Sequence, residues 1–312
     1  MSPLREEDLQ DVISIIGRSR KGLPFERTLS IDELRSETLK DPDFRPEGSW
    51  VVREDGEPIA FAAVIIEESR ISSGLDDAYV DLEVVPEARG KDLEQRLMGL
   101  ASEYVRSRGV GKARARCIFG ESWRMDLLTA EGFHEAHRVY YLVRRGREDP
   151  PEVPTPEGIR LVRRPCKECG DEELTRIVEA FNDTFQDHFS FAPEPPERFM
   201  EFRDVSLDPM TFSLAMAGDD IVGVCLSDVS AVYNRENGTS WGWVNVLGVR
   251  PPYRRRGLGR FLLADGMRWL LEQGMDTIHI GVYAENEKAL DLYRSVGFEN
   301  ANGSYWFEKK LV

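Results

Sequence analysis

The stretch "WVNVLGVRPPYRRRGLGRFLL", residues 243–263, sets the reading of this chain. Its first seven residues are rich in β-branched and aromatic side chains, as in a strand that ends at Val249. An apolar, helix-like run begins near Gly257, with Phe261, Leu262, Met267, Leu270 and Leu271 on one side and Gly274 as a stop. The first N–H groups of such a helix have no partner inside it, and the helix dipole adds partial positive charge there. Gly257 and Gly259 remove side chains at that point, and Arg254, Arg255, Arg256 and Arg260 surround it with cationic donors. Together they describe a site for a phosphate or pyrophosphate. A P-loop would close with Lys-Ser/Thr, where this chain has Arg260-Phe261, and a dinucleotide fingerprint would place a third glycine at Leu262.

Working outward, the same pattern occurs twice. Arg254 and Pro251 have counterparts in Arg89 and Pro86, and Gly297-Phe298 in Gly132-Phe133, all separated by 165 residues. One interval held over so long a span indicates a tandem duplication in which each copy is a domain. Between the copies lies "REDPPEVPTPEG" (147–158), whose four prolines and four acids read as a stiff linker. The expected division is therefore a domain at 1–146, a linker at 147–158 and a domain at 159–312. In the second copy, "TFSLAMAGDDIVGVCLSDVSAVY" reads as two strands turning at Gly218–Asp219, and "TIHIGVY" as a strand. Asn286 then caps a helix ending at Gly297, and "SYWFEKKLV" closes the copy as a last strand. A meander followed by strand–helix–strand–helix–strand implies a mixed α/β (α+β) sheet.

The strand, the "RRRGLG" loop and "NEKALDLYRSVGF" (286–298) occur together in that order. Here the chain resembles the GNAT (Gcn5-related) N-acetyltransferase superfamily. Arg254-x-x-Gly257-x-Gly259 fits that family's pyrophosphate loop, and Asn286 through Phe298 fits its later helix segment. Two copies, with the better motifs in the second, is also the layout of the mycothiol synthases. The resemblance implies two tandem GNAT-like acyl-CoA N-acyltransferase domains, each a mixed, mostly antiparallel sheet flanked by helices. It implies acetyl-CoA as co-substrate, held by the loop from Arg254 to Arg260, including the backbone of Leu258, and by backbone groups of Leu247, Gly248 and Val249. Asn286 is a cofactor contact or simply a helix cap. Tyr293 matches the tyrosine that protonates the departing thiolate. Phenol and thiol have reference pKa values near 10 and 8.5, close enough for that exchange. For the acceptor's proton the candidates are Asn245 holding a water, Asp228 and Glu285, with His188 placed where the family builds its acceptor pocket.

In the first copy the loop reads Arg89-Gly-Lys-Asp92-Leu-Glu94, so carboxylates replace both glycines. At about 6 Å and an effective dielectric near 20, each would oppose a phosphate charge by roughly 3 kcal/mol. Leu128 stands at the tyrosine position and Glu121 at that of Asn286. The first domain is therefore expected to be degenerate and not to bind acetyl-CoA.

The totals fit this reading. The net charge is −15, with 30 acids against 23 bases in the first 150 residues and 26 against 18 in the rest. That disfavours nucleic acid and anionic membranes as partners and favours a small-molecule amine. The charged start "MSPLREEDLQ" and the absence of any long apolar run lead us to expect a cytoplasmic chain. Cys166 and Cys169 form a single CxxC, a weak metal signal read as two reduced thiols, and no metal is expected. The function expected is acetyl transfer to a primary amine. Mycothiol synthesis and protein N-terminal acetylation are enzymatic alternatives, and an acyl-CoA-binding regulator is the alternative of another class.

Overall fold

The computed structural model describes residues 1–23, 29–188, 191–206, 208–229 and 231–311. The first half contains, in order, α1 (Leu9–Arg20), α2 (Ile31–Glu37), β1 (Phe44–Glu54), β2 (Glu57–Ile65), α3 (Glu68–Ser72), β3 (Asp77–Val84), α4 (Leu93–Ser107), β4 (Lys112–Ile118), α5 (Ser122–Ala130) and β5 (His134–Arg145). The second contains β6 (Arg160–Pro165), α6 (Asp171–Phe185), α7 (Pro196–Val205), β7 (Met210–Ala217), β8 (Asp220–Val229), α8 (Ala231–Asn237), β9 (Trp241–Val249), α9 (Leu258–Glu272), β10 (Thr277–Tyr283), α10 (Glu287–Arg294) and β11 (Glu299–Lys310).

The 165-residue interval reappears in the element boundaries. It separates both ends of α4 from those of α9, of β4 from those of β10, and of β5 from those of β11. It also separates the 3-10 turn Pro86–Ala88 from Pro251–Tyr253. The two copies thus share a scaffold, and the chain forms two compact units. In the first, β1–β2 and β2–β3 pair antiparallel and β3–β4 in parallel. In the second, β6 to β9 form an antiparallel meander and β9–β10 pair in parallel. Each sheet is mixed and mostly antiparallel, with helices packed against it.

The units do not divide where the sequence alone places the boundary. The first comprises Met1–Val139 and Gly303–Val312, and the second Tyr140–Asn302. Each copy gives the end of its last strand to the other unit. Residues 304–310 of β11 pair antiparallel with β4, where Tyr305 meets Phe119 and Trp306 meets Tyr79. The proline-rich segment 147–158 belongs to the second unit, where Arg256 donates to Glu157 O and Arg144 to Glu148 O. A smaller difference lies after Val229. Ala231–Asn237 is helical, whereas the sequence pattern continues the strand to Tyr233. Asp208 Oδ1 accepts from Ala231 N and opens this helix.

The second unit buries apolar side chains on both faces of its sheet. Leu258, Leu262, Met267 and Leu270 of α9 meet Ile278, Ile280 and Phe298 on one face. Leu174 and Ile177 of α6 meet Phe212, Val224 and Leu226 on the other. Each fully buried leucine stabilises the fold by about 1.5–3 kcal/mol. Among the described residues no helix is long and apolar enough to cross a membrane.

The strand trade has a measurable consequence. Deleting residues 303–312 removes the partner of β4, so amide exchange should accelerate across Lys112–Ile118 while Ile221–Val229 stays protected. Unchanged protection of β4 would contradict the pairing.

Candidate active site

The site begins where two strands part. β9 and β10 are paired only from Trp241–Thr277 to Val244–Ile280. β9 continues along β8 to Val249, but Ser227 faces Val244 and Leu226 faces Val246, so Asn245 is an unpaired bulge residue. A bulge bends its strand and re-aims side chains. Below it, Gly242 and Val244 lie against α9. Beyond it, Val246 and Gly248 face α6, and a Cβ on Gly248 would meet Thr184 Oγ1 at 2.0 Å. Arg250 N donates to Val222 O on β8. Alternation along the strand therefore turns the peptide groups of Val249 and Leu247 toward the gap. The sequence marked these backbone groups for the thioester arm of a cofactor.

The phosphate loop lies at the end of the same strand. Gly257 is the N-cap of α9 at φ +83° and no side chain caps the helix, so its first N–H groups are open. A Cβ on Gly259 would meet only Leu292, at an ordinary 3.5 Å. Internal packing does not demand glycine there, whereas close approach of a ligand does. Leu258 is buried, so only its backbone is available. Arg255 is exposed, at φ +61°, with no ion pair to a described residue. Arg256 lies over the Tyr253 ring and Arg260 donates to Ser295 Oγ at 2.7 Å. Arg254 is different. Its guanidinium donates to Val249 O at 3.0 Å, to Thr184 O at 2.9 Å and to Asp187. It ties the end of β9 to the end of α6, leaving its guanidinium largely committed to the fold.

Tyr293 is buried on α10, on the α9 side of the sheet, and its hydroxyl bonds to no described residue. Burial, with Cys225 close by, pushes its pKa well above the ordinary tyrosine value, so the proton stays on at neutral pH. Cys225 pairs with Leu247 in the β8–β9 register, which places this tyrosine beside the gap. Asn286 Oδ1 accepts from Ala289 N at 3.2 Å and caps α10. Glu285 is exposed with no bond to a described residue. On the α6 side Asn245 donates to Asp228. His188 packs edge-on against Phe185 at 4.6 Å and Tyr283 at 6.5 Å.

An aromatic shell escaped the sequence reading. Trp243 stacks on His279 at 4.7 Å, Trp241 tilts against the other side of this cluster at 4.7 Å, and Tyr141 meets Trp243 edge-on. Burial holds His279 down to about 4, so it is uncharged at pH 7. The available signal was Trp241-x-Trp243-x-Asn245, aromatics alternating toward a polar residue on one strand. Cys166 and Cys169 are both buried, which raises their pKa values and makes them poor nucleophiles. Among the described residues no group of three or more His, Cys, Asp or Glu is arranged to hold a metal.

The equivalent place in the first unit is filled. β3 and β4 pair only from Asp77–Lys112 to Tyr79–Arg114 and then separate. Arg89 repeats the tie, donating to Val84 O at 2.9 Å and Ser19 O at 2.8 Å. Asp92 takes the left-handed N-cap conformation of Gly257, at φ +61°. The start of α4 carries no side-chain cap either, but backbone donors around it have partners. Glu94 Oε1 accepts from Gly90 N at 2.7 Å, Asp81 Oδ1 from Leu82 N at 3.0 Å, and Glu121 Oε2 from Ile118 N at 3.2 Å. Buried Arg124 holds Glu83 and Glu121, each at 2.9 Å, and Arg20 holds Glu83 at 2.6 Å. Burial raises the Asp81 pKa, but Arg20 and Arg124 outweigh it and keep the carboxyl below its usual range. The second unit has Val246, Gly248, Gly259, Asn286 and Ala289 where the first has Asp81, Glu83, Glu94, Glu121 and Arg124.

These two grooves define an acyltransferase fold present twice. The Acetyltransferase (GNAT) family profile matches residues 21–120 and 174–298, and the chain belongs to that family. It is 30% identical over 262 residues to a mycothiol acetyltransferase of Thermobispora bispora, covering 81% of each chain. With one from Streptomyces scabiei it shares 28% over 214 residues, 62% of this chain and 64% of that protein. Among solved structures, a tandem GNAT protein from the clavulanic acid biosynthesis pathway superposes with a TM-score of 0.75 at 17% identity, covering 100% of this chain and 98% of that one. A GCN5-related N-acetyltransferase from Sphaerobacter thermophilus gives 0.72 at 21% identity, covering 99% and 95%.

The loop arginines should separate in stability measurements. Arg254→Ala should lower the thermal midpoint by several degrees, since it removes bonds to two carbonyls. Arg255→Gly should raise it, by relieving a left-handed non-glycine residue at a cost on the order of 1 kcal/mol. Equal effects from both would refute this division of labour.

Proposed function

We propose that the second unit transfers an acetyl group from acetyl-CoA to the primary amine of a small molecule. The carrying observation is the conjunction of an open gap between β9 and β10, an uncapped glycine-lined helix start at its end, and a buried tyrosine beside it. The pyrophosphate lies at the α9 N-terminus, on the N–H groups of Leu258, Gly259 and Arg260, with Arg255, Arg256 and Arg260 as nearby cations. Dipole and charged donors act together there, the dipole contributing about 0.3–1 kcal/mol. Leu247 and Val249 hold the thioester arm as an added strand would. The acceptor reaches the carbonyl from the α6 face, past Asp228, Asn245 and Trp243.

In the transfer the amine nitrogen forms a bond to the thioester carbon, and the C–S bond breaks with its electron pair on sulfur. Tyr293 gives that sulfur a proton. Burial raises its pKa and so weakens it as an acid, and its role rests on its place beside the gap and on a proton held throughout the neutral range. A positioned general acid contributes about 10²–10⁴ in rate. The aromatic shell and the acidic surface favour a cationic acceptor with an apolar or ring-bearing body. The relatives' name makes a mycothiol-type acceptor the first to try.

We further propose that the first unit does not bind acetyl-CoA. Asp81 takes the N–H equivalent to that of Leu247, Glu94 sets a carboxylate at the start of α4 where a phosphate would lie, and Arg124 with Glu83 fills the strand gap.

The transfer reaction is tested by following CoA thiol release from acetyl-CoA over a panel of small amines, mycothiol precursors included. Tyr293→Phe should lower kcat by about 10²–10⁴ and leave the KM for acetyl-CoA within about twofold. An unchanged kcat would remove Tyr293 from the mechanism. Tight acetyl-CoA binding with no turnover on any amine would instead favour a regulator.

A further inference from the structure

The acceptor's ammonium must lose a proton before its nitrogen can attack, because with a pKa near 10 only about one part in a thousand is neutral at pH 7. On the acetyl-transfer reaction proposed for the second unit, we propose that His188 is the base that takes this proton, at the mouth of the gap between β9 and β10. The residue lies just past α6, where its N–H donates to Phe185 O at 2.9 Å. Phe185 is seated over Gly248 of β9, its ring 3.0 Å from where a Cβ would stand. The imidazole rests on that ring at 4.6 Å, with Tyr283 of β10 at 6.5 Å on its other flank. His188 thus stands against Tyr283 of β10 and, through Phe185 of α6, above Gly248 of β9, on the face where the acceptor enters.

Its side chain makes no hydrogen bond to a described residue. The charged groups facing it are Arg254, from the loop after β9, and its neighbour Asp187, which Arg254 engages. Burial first, and then Arg254, hold the imidazole below its ordinary value, so it is uncharged at pH 7. Asp228 is the less suitable base. It already accepts from Asn245, and a carboxylate is ordinarily a weaker base than an imidazole. The negative charge of Asp228 suits it to attract the ammonium instead.

The proton inventory closes. One ammonium proton passes to the imidazole, and the freed lone pair forms the C–N bond. As the C–S bond breaks, sulfur takes the Tyr293 proton and the nitrogen's second proton restores the phenol. The imidazolium returns its proton to water, for a net release of one proton.

The test uses the full chain, glucosamine as the probe amine and water alone as a second acceptor. For His188→Gln, kcat should fall at least tenfold with acetyl-CoA KM unchanged, and the acid limb expected of the native chain below pH 6.5 should vanish. For His188→Ala, added imidazole should restore part of the rate, which a purely structural role would not allow. Asp228→Asn should raise the amine KM and keep the acid limb. A His188→Gln kcat within twofold of native, with the acid limb intact, overturns the assignment. A native chain that releases no thiol with either acceptor overturns the transfer reaction itself, and this assignment with it.

Discussion

Wherever two strands of a sheet part, the peptide groups along the opening lose their partners. A buried backbone donor left unpaired costs about 1–3 kcal/mol, so something must take it. This chain faces that requirement twice, once where β3 leaves β4 and once where β9 leaves β10. The first opening is closed from within by carboxylates and arginines. The second has Gly248, Gly259 and Ala289 where the first has Glu83, Glu94 and Arg124, and the proposed chemistry follows from that difference.

The scaffold around both openings is the same. Arg89 and Arg254 each bind the carbonyl that ends the inner strand and a carbonyl near the end of the first long helix. Asp92 and Gly257 share a left-handed N-cap. What differs is the chemistry placed on it. Glu83 and Gly248 are equivalent positions, and so are Arg20 and Phe185. In the first unit they form a buried ion pair, and in the second an aromatic ring lies against a bare backbone. Buried ions repay their desolvation only when well coordinated. Arg124, with three carboxylates around it, meets that condition. Glu83 Oε2 and Glu94 Oε2 remain buried without a protein hydrogen bond, so the plug is not fully satisfied.

Much of this was legible in the sequence because the duplication repeats spacing as well as residue type. Gly257, Gly259, Tyr293 and the carboxylates at 92 and 94 could be read from motif position. Side-chain direction could not. The motif marks Arg254 for an anion, but only three dimensions show its guanidinium turned to Val249 O and Thr184 O. That Glu94 folds back onto Gly90 N, in addition to repelling a phosphate, is equally invisible in one dimension. The strand trade is hidden for another reason. "HEAHRVYYLVRR" and "ENANGSYWFEKK" carry comparable strand patterns, so composition does not say which sheet receives each. Trp241 and Trp243 read as ordinary strand aromatics until His279, far along the chain, arrives beside them.

The central claim is that one opening is plugged and the other is free. Calorimetric titration of the full chain with acetyl-CoA, read for stoichiometry, tests it most directly. The account predicts one site per chain, abolished by Gly259→Glu and unaffected by Leu128→Tyr. Two sites per chain, or a single site that survives Gly259→Glu, would contradict it.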